Sequence, residues 1–252
     1  MEIKTEKIFI KNRKNQKVCV LVEKPEKSVG LAFVTHGRGG FKEQSYVRTI
    51  ASSLLNNNYI IISFETTNSL GESESSFSDA TLTNYYEDLE DVIDWSKSQT
   101  YYQEPFVLCG HSIGSMSIIL YAEHYPQAIK ALAPISTGVS GRLSYEAFPP
   151  ETIAESSIGS SSRITKKLKW SHMEDLLKYD LLEGADKLVM PVLLAVGEFD
   201  KTHPLSNQEK LFKALPGSKE LRIIKGAAHT FKKPEHLEEV YSLMDKWLKS
   251  LT

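Results

Sequence analysis

Cysteine is scarce in this sequence, with only Cys19 and Cys109 among 252 residues, and both lie in apolar stretches. This content excludes a disulfide framework and a cysteine zinc site, and we expect two reduced, buried thiols. No run of about 18 apolar residues is present, so no transmembrane helix is predicted. The opening stretch MEIKTEKIFIKNRKNQK interrupts its apolar residues with charges and lacks the apolar core of a signal peptide. We therefore expect a cytoplasmic protein without membrane insertion.

An excess of charge of either sign is also missing, because 30 basic and 32 acidic residues give a formal net charge of -2. This balance does not favour a nucleic acid, an anionic membrane surface or a strongly charged protein as a partner. Internal repeats are absent as well, and no feature predicts an oligomeric state. With 41% apolar residues, the chain is long enough for one α/β core, and we expect a single domain over residues 1–252.

Short apolar runs alternate with helical patterns over most of the chain. Two stretches of alternating hydrophobicity, at 3–10 and 18–22, predict an antiparallel N-terminal hairpin. Helical periodicity, as at 82–95, separates the later runs. The alternation predicts an α/β fold with a mostly parallel eight-stranded sheet and helices on both faces. The six further strands should be buried on both faces, since their runs are short and continuously apolar; they lie at 30–36, 59–64, 105–110, 129–135, 191–197 and 220–224.

The interval at about 139–187 breaks this alternation with a Pro-Pro pair, the serine-rich ESSIGSSS at 155–162 and the basic run RITKKLK at 163–169. A structureless loop of that length is improbable in a compact domain, so we expect a small, partly helical insertion above the sheet. The basic run could meet an acidic substrate or a lipid headgroup, or be the solvated face of a helix. Large apolar side chains are few here, enough for a pocket but not for a broad lipid-binding surface; they are Phe148, Ile153, Leu168, Trp170, Met173, Leu176 and Leu177.

Ser112 lies in the segment GHSIG, directly after the strand predicted at 105–110 and before a helical pattern. A nucleophile at such a sharp strand-to-helix turn needs small residues two positions before and two positions after it, and Gly110 and Gly114 meet that need. Ser112 could instead only cap the helix, where serine is favoured, but a cap does not require the flanking glycines. We therefore interpret Ser112 as a nucleophile.

A serine nucleophile needs a base, usually an imidazole that a carboxylate orients. His229 follows the strand predicted at 220–224, on a loop rich in small residues. Asp200 ends the loop GEFD after the strand predicted at 191–197. The chain order Ser112, Asp200, His229 and the placement at strand ends predict a catalytic triad.

Other residues could take the two supporting roles. Glu198 is an alternative acid, since Asp200 could instead cap the helix that follows it. His203 is an alternative base, although it precedes a proline in a loop, and His111 belongs to the turn itself, so its side chain must point away from Ser112. No histidine pair has metal-ligand spacing with a supporting carboxylate, so we expect no metal. The remaining histidines on helical patterns should have solvated or interfacial roles; they are His124, His172 and His236.

The segment THGRGG at 35–40 follows the strand predicted at 30–36. Glycines such as Gly37 let the backbone approach a substrate, and we assign the oxyanion-hole donors to the peptide N–H groups of Arg38 and Ile113. The segment could also be a tight glycine turn or a phosphate cradle. It lacks the Gly-Lys-Ser/Thr ending of a Walker loop and the G-x-G-x-x-G of a dinucleotide-binding fingerprint.

Four motifs, HG at 36–37, GHSIG at 110–114, GEFD at 197–200 and GAAHTF at 226–231, make the chain resemble the α/β-hydrolases. It is most similar in layout to small bacterial cinnamoyl (feruloyl) esterases and carboxylesterases of the monoacylglycerol lipase type. The resemblance covers nearly the whole chain and implies the α/β-hydrolase fold, a variable cap at about 139–187 and an oxyanion amide from the residue after His-Gly.

Two departures from the esterase relatives are visible. The loop after the fourth strand reads FETTNSLGES, with Glu65 and Asn68, where relatives commonly carry Asp-x-Arg-Gly-x-Gly-x-Ser. Arg38 stands where an apolar or aromatic residue is usual. The first departure alters a region that normally supports the serine turn.

The motifs and the resemblance together predict a serine hydrolase that cleaves a small carboxylic ester, with a short or aromatic acyl group, through an acyl-enzyme intermediate. Ser112 would attack, His229 would carry the proton and Asp200 would orient the imidazole, without a cofactor or metal. A thioesterase or a short-peptide hydrolase would use the same residues. A non-catalytic ligand receptor is an alternative of a different class.

Overall fold

The computed structural model describes residues 2–147 and 168–251. Eight strands form one sheet in the spatial order β1-β2-β4-β3-β5-β6-β7-β8, so the predicted fold class is confirmed. The strands are β1 (Ile3–Lys11), β2 (Lys17–Pro25), β3 (Gly30–Thr35), β4 (Tyr59–Glu65), β5 (Phe106–His111), β6 (Ile129–Ile135), β7 (Val192–Gly197) and β8 (Lys219–Ile224). The described helices are α1 (Ser45–Asn56), α2 (Leu82–Ser96), α3 (Ile113–His124), α4 (Gly141–Ala147), α5 (Ser171–Leu176), α6 (Leu205–Ala214) and α7 (Pro234–Lys249), with short 3-10 helices at Phe77–Asp79, Pro126–Ala128 and Ala185–Lys187.

The sheet is antiparallel only at its N-terminal edge. β1 and β2 form the predicted hairpin, and β2 also pairs antiparallel with β4. All the pairs from β4 through β3 to β8 are parallel. Every residue of β3, β5 and β7 is buried, which explains their continuous apolar sequences. The expectation of burial on both faces is wrong for β8, because β8 is the edge strand of the sheet: only Ile224 is buried there, and Ile223 is 46% exposed.

Helices cover both faces of the sheet, as predicted. On one face α2 and α3 bury an apolar cluster that includes Leu89 and Ile118. On the other face α1 and α7 bury a cluster that includes Val47 and Trp247. The two clusters hold the carboxyl ends of the parallel strands at one common edge.

β3 lies in the sheet between β4 and β5. After β3 the chain continues to β4 on one side, and it later returns to form β5 on the other side. The loops that follow β3 and β5 therefore diverge at their carboxyl ends. A crevice opens at such a switch point in α/β sheets, and ligands bind there. Both predicted oxyanion amides and Ser112 belong to these two loops.

The interval at about 139–187 contains α4, α5 and the 3-10 helix Ala185–Lys187. Its two ends are tied together, because Leu181 N–H donates to the Val139 carbonyl at 2.9 Å and Gly141 N–H donates to the Tyr179 carbonyl at 2.9 Å. The serine-rich patch at 155–162 and residues 163–167 of the basic run lie outside the described residues.

The apolar side chains predicted to line a pocket in this interval divide into three groups. Met173 and Leu176 are buried in the core cluster beneath α2 and α3, so they stabilise the domain. Trp170 and Leu177 are exposed at 45% and 46%. Leu168 is half-buried, and Phe148 and Ile153 lie outside the described residues. In the ranges described, no helix has both the length and the apolar character needed to cross a bilayer.

Candidate active site

Ser112 connects β5 to α3 at a strained turn, with φ 57° and ψ -123°. A non-glycine residue rarely adopts this conformation, and its cost must be offset by the surrounding structure. The Ser112 amide donates to the Ile135 carbonyl at 3.0 Å. A Cβ on Gly114 would collide with the His36 carbonyl, and one on Gly110 would collide with the Thr35 hydroxyl. Glycine is thus required on both sides of the serine.

The structure brings together the three residues that were predicted as a triad. His229 Nε2 lies 3.0 Å from Ser112 Oγ, and His229 Nδ1 lies 2.8 Å from Asp200 Oδ2. A carboxylate only accepts hydrogen bonds, so Nδ1 carries the proton and Nε2 faces the serine with its lone pair. This tautomer is the one a base needs.

Asp200 is 4% exposed and accepts hydrogen bonds at both oxygens. Its Oδ1 accepts from the amides of Thr202 and His203, each at 2.9 Å. Burial by itself would raise the pKa of Asp200, but the bond from His229 and the amide bonds outweigh it and hold the pKa below its ordinary value. Glu198, the alternative acid, is exposed and accepts from the Gly226 amide at 2.8 Å instead. Asp200 is the carboxylate that contacts His229.

His203, the alternative base, also lies beside the serine, with its Nε2 3.5 Å from Ser112 Oγ. Burial, followed by the nearby His229, lowers the pKa of His203 to about 3. It is therefore neutral near pH 7, but it lacks the carboxylate bond that His229 makes through its ring. His203 adds a second imidazole to the wall of the site.

His111 points away from Ser112, as its place in the turn requires. Its Nε2 donates to the backbone carbonyl of His229 at 2.8 Å, and its ring lies 4.2 Å from that of Tyr46. Burial lowers the pKa of His111 to about 3. The contact joins residues 118 positions apart, and nothing in the local sequence indicates it. His111 holds the loop that carries His229.

The peptide between Gly37 and Arg38 is held in one orientation. The Gly37 carbonyl accepts from the Tyr85 hydroxyl at 3.1 Å, from His36 Nδ1 at 2.7 Å and from the Gly40 amide at 2.9 Å. In a trans peptide the N–H points opposite to the C=O. The Arg38 N–H therefore points away from these three donors, and it has no protein acceptor among the described residues.

The same loop passes close to the nucleophile. A Cβ on Gly37 would lie 3.3 Å from Cβ of Ser112. Ile113 is the first residue of α3, and an amide in the first turn of a helix has no acceptor within that helix. The backbone N–H groups of Arg38 and Ile113 therefore lie in the two segments beside the serine without an acceptor among the described residues.

The Arg38 side chain contacts α5. Its Nη1 lies 3.0 Å from His172 Nε2, while His172 Nδ1 lies 2.9 Å from the Ala80 carbonyl. The carbonyl can only accept, so His172 carries its proton on Nδ1 and accepts from Arg38 at Nε2. His172 is 2% exposed and His236 is 6% exposed, so the solvated or interfacial role expected for these two histidines is wrong. The sequence gives no signal for this contact between residues 134 positions apart.

Glu65, which departs from the pattern of the esterase relatives, forms an ion pair with Lys42. Lys42 and Glu65 are both 1% exposed, and their charged atoms lie 3.0 Å apart. Three carboxylates that could hold a metal ion, those of Glu43, Glu65 and Glu72, surround this point. Lys42 Nζ lies within 3.0 Å of each of them, so the three carboxylates already share the ammonium as a cationic partner. An ion pair thus supports the loop after β4. Asn68, the second residue of this departure, is 4% exposed, and its backbone amide donates to the Glu74 carbonyl at 3.1 Å.

Comparison with known proteins agrees with this architecture. Residues 46–252 match the prolyl oligopeptidase family, and the chain belongs to that family. No curated protein sequence is significantly similar to it. The predictions of an α/β-hydrolase relationship and of a hydrolase enzyme are confirmed.

Several solved structures share the fold. Est1E from Butyrivibrio proteoclasticus, with ferulic acid bound, is 22% identical with a TM-score of 0.83 and covers 97% of this chain and 98% of its own. The esterase domain of a Rhodothermus marinus protein is 19% identical with a TM-score of 0.73, over 99% of both chains. Mouse alpha/beta hydrolase domain-containing protein 10 is 18% identical with a TM-score of 0.76, over 98% of this chain and all of that one.

Proposed function

We propose that this protein is a serine hydrolase that cleaves small carboxylic esters through an acyl-enzyme intermediate. The observation that carries the proposal is the continuous series of hydrogen bonds from Asp200 through His229 to Ser112. Support also comes from the fold, which is shared with a protein solved with ferulic acid bound and with an esterase domain.

In the first half-reaction Ser112 Oγ attacks the ester carbonyl carbon while His229 Nε2 removes the hydroxyl proton. His229 then gives that proton to the leaving alcohol oxygen as the tetrahedral intermediate breaks down. The Asp200 carboxylate stabilises the imidazolium that forms between these steps. Water repeats the sequence on the acyl-enzyme, releasing the acid and restoring Ser112.

The oxyanion that develops in each intermediate is stabilised by the N–H groups of Arg38 and Ile113. Loss of one such donor typically lowers kcat by about 100- to 1,000-fold. The Arg38 donor is well suited, because the three hydrogen bonds on the Gly37 carbonyl keep that peptide from turning. No reorganisation is then needed during the reaction.

We assign the interval at about 139–187 to a cap within one domain that spans the chain. Its tied ends, at the Val139 and Leu181 pair, are those of an insertion rather than of a separate unit. Its helix α5 reaches the residue after His-Gly through the contact of His172 with Arg38. Such a cap would set which substrates enter.

Short-peptide hydrolysis is the second candidate, and the family match favours it. The same triad would act, with His229 protonating an amine rather than an alcohol. A thioester would also be cleaved by the same steps. A non-catalytic receptor is disfavoured, because a receptor does not need an acid, a base and a nucleophile in hydrogen-bonding register.

Two measurements test the proposal. A fluorophosphonate probe should label the wild-type protein and should not label Ser112→Ala. A panel of small esters, thioesters and amides with matched acyl groups should then give the highest kcat/KM for esters. Labelling with a preference for amides would replace the ester proposal with the peptide one, and failure to label a folded wild-type protein would overturn both.

A further inference from the structure

Arg38 differs from the other arginines that the structure describes. Each of those lies against a carboxylate: Arg13 on Glu90 and Asp91, Arg48 on Glu23, Arg142 on Glu146 and Arg222 on Glu220. Arg38 instead bonds to the ring nitrogen of His172. In the described ranges no carboxylate approaches its guanidinium to within ion-pair distance.

His172 cannot neutralise this charge. Its Nδ1–H is committed to the Ala80 carbonyl, so Nε2 offers only a neutral lone pair. Burial and the Arg38 charge lower the pKa of His172 to about 4, so this histidine stays neutral near pH 7. The bond therefore orients the guanidinium without cancelling its charge.

The guanidinium also lies near enough to the reaction site to act on it electrostatically. Its charge acts on His203, whose Nε2 is 3.5 Å from Ser112 Oγ, and contributes to the lowered pKa of that histidine. Its own backbone N–H belongs to the loop beside Ser112. The Arg38 residue as a whole is half-buried. A cation in this setting is costly to leave unpaired.

We propose that Arg38 binds a carboxylate of the substrate, so that the preferred esters are anionic esters with a carboxylate near the scissile carbonyl. This inference rests on the proposed ester hydrolysis. A guanidinium presents two parallel N–H donors to a carboxylate, and such charge-assisted bonds are about twice as strong as neutral ones. One cation flanked by neutral histidines matches a single negative charge better than the double charge of a phosphate monoester.

The experiment compares two 4-nitrophenyl esters of equal shape, those of 4-carboxybenzoic and 4-carbamoylbenzoic acid. In the wild-type protein we expect kcat/KM to be about 10- to 100-fold higher for the carboxylate ester. Arg38→Gln should reduce this ratio to near one, and Arg38→Lys should keep part of it. Arg142→Gln, which removes an equal charge from an exposed position on α4, should leave the ratio unchanged.

A second pair places the charge on the alcohol side, as the acetyl esters of 4-hydroxybenzoic acid and 4-hydroxybenzamide. The pair whose kcat/KM ratio, charged over neutral, falls more in Arg38→Gln shows whether the substrate carboxylate lies on the acyl part or on the alcohol part of the ester. Calorimetry with Ser112→Ala isolates binding from turnover: the carboxylate ester should bind at least about 10-fold more tightly than the amide ester, and Ser112→Ala/Arg38→Gln should lose that difference.

The two proposals fail in different ways. If the neutral esters are hydrolysed and the fluorophosphonate labels Ser112, the hydrolase proposal stands whatever the charge preference. Equal kcat/KM for both members of each pair in the wild-type protein would then overturn the role of Arg38. So would a preference for the carboxylate esters that Arg38→Gln leaves intact.

Discussion

Asp200 and His229 are joined by a 2.8 Å hydrogen bond between Oδ2 and Nδ1, and the other carboxylate oxygen is held by two backbone amides. The carboxylate therefore cannot rotate without breaking three bonds. The imidazole in turn keeps one tautomer and one ring orientation. This arrangement leaves Nε2 at 3.0 Å from Ser112 Oγ.

Removal of any one of these three groups should nearly abolish turnover. We expect Ser112→Ala, His229→Ala and Asp200→Asn each to lower kcat by about 1,000-fold or more, and Ser112→Ala/His229→Ala to be little worse than Ser112→Ala, because the residues act as one unit. Steady-state kinetics on an activated ester measures this, with circular dichroism to verify folding. Glu198→Gln is the matched control and should keep most of the activity; loss of activity there with retention in Asp200→Asn would reverse the acid assignment.

Stability should decrease as the pH falls below 6.5, because buried histidines cannot take up protons. The pKa of His111 is lowered from 6.5 to about 3, so between these values the unfolded chain binds a proton that the folded chain excludes. That contribution is fully present above pH 6.5 and decreases by about 1.4 kcal/mol per pH unit inside the window. Urea unfolding at several pH values from 4 to 7 gives the slope.

His111→Gln tests the assignment of this slope. It should lower the number of protons taken up on unfolding by about one. The slope of the unfolding free energy against pH should then fall by about 1.4 kcal/mol per pH unit, whatever the substitution does to stability at pH 7. His124→Gln, at an exposed position on α3, is the control for the histidine-to-glutamine change itself. An unchanged slope in His111→Gln would mean that this ring titrates in the folded protein.

The serine turn should not tolerate a methyl group on its glycines. Gly114→Ala places a Cβ against the His36 backbone carbonyl, which cannot move without shifting the loop that carries Arg38. We expect a loss of about 1–3 kcal/mol in stability and a larger loss of activity. Gly184→Ala is the control, since its Cβ meets only the carboxylate end of Glu123, a flexible side chain. Denaturant unfolding of both variants measures the difference.

The buried pair of Lys42 and Glu65 should stabilise the protein only while both partners are present. Lys42→Met leaves the buried Glu65 carboxylate without its ammonium and should cost about 3–5 kcal/mol, while Glu65→Gln should cost less because Lys42 keeps Glu43 and Glu72. The double variant should recover much of that loss. A double-mutant cycle by denaturant unfolding measures the coupling, and additive effects of the two changes would contradict it.

Activity should fall as the acyl chain lengthens. Of the apolar side chains expected to line the insertion, Met173 and Leu176 are committed to the core, which leaves Leu168, Trp170 and Leu177 as the apolar surface of its described part. A pocket discriminates by about 1–3 kcal/mol per methylene, so kcat/KM should fall in steps across 4-nitrophenyl esters from acetate to palmitate. The series is measured with and without detergent. A preference for palmitate, or a jump in rate at a lipid interface, would indicate a lipase.

Local sequence predicted the central strands because burial on both faces imposes continuous apolar runs, and it predicted the serine turn because a tight turn imposes glycine. The edge strand β8 was predicted from its apolar run although only Ile224 of this strand is buried. Local sequence did not predict the contact of Arg38 with His172 or that of His111 with His229. Both join residues more than 100 positions apart, and only the packing of complete elements brings them together. The pairing of Glu65 with Lys42, 23 positions apart, was not predicted either, although Glu65 stands out as a departure from the loop of the esterase relatives.

Ser112 and His229 are 117 residues apart, and the histidine is carried by the loop after β8, the last strand of the sheet. A chain emerging from the ribosome therefore holds its nucleophile long before it holds a base, and remains chemically inert until the final strand has docked. The recovery of esterase activity during refolding would therefore measure when β8 docks onto the sheet. Tryptophan fluorescence would measure the earlier collapse of the chain separately.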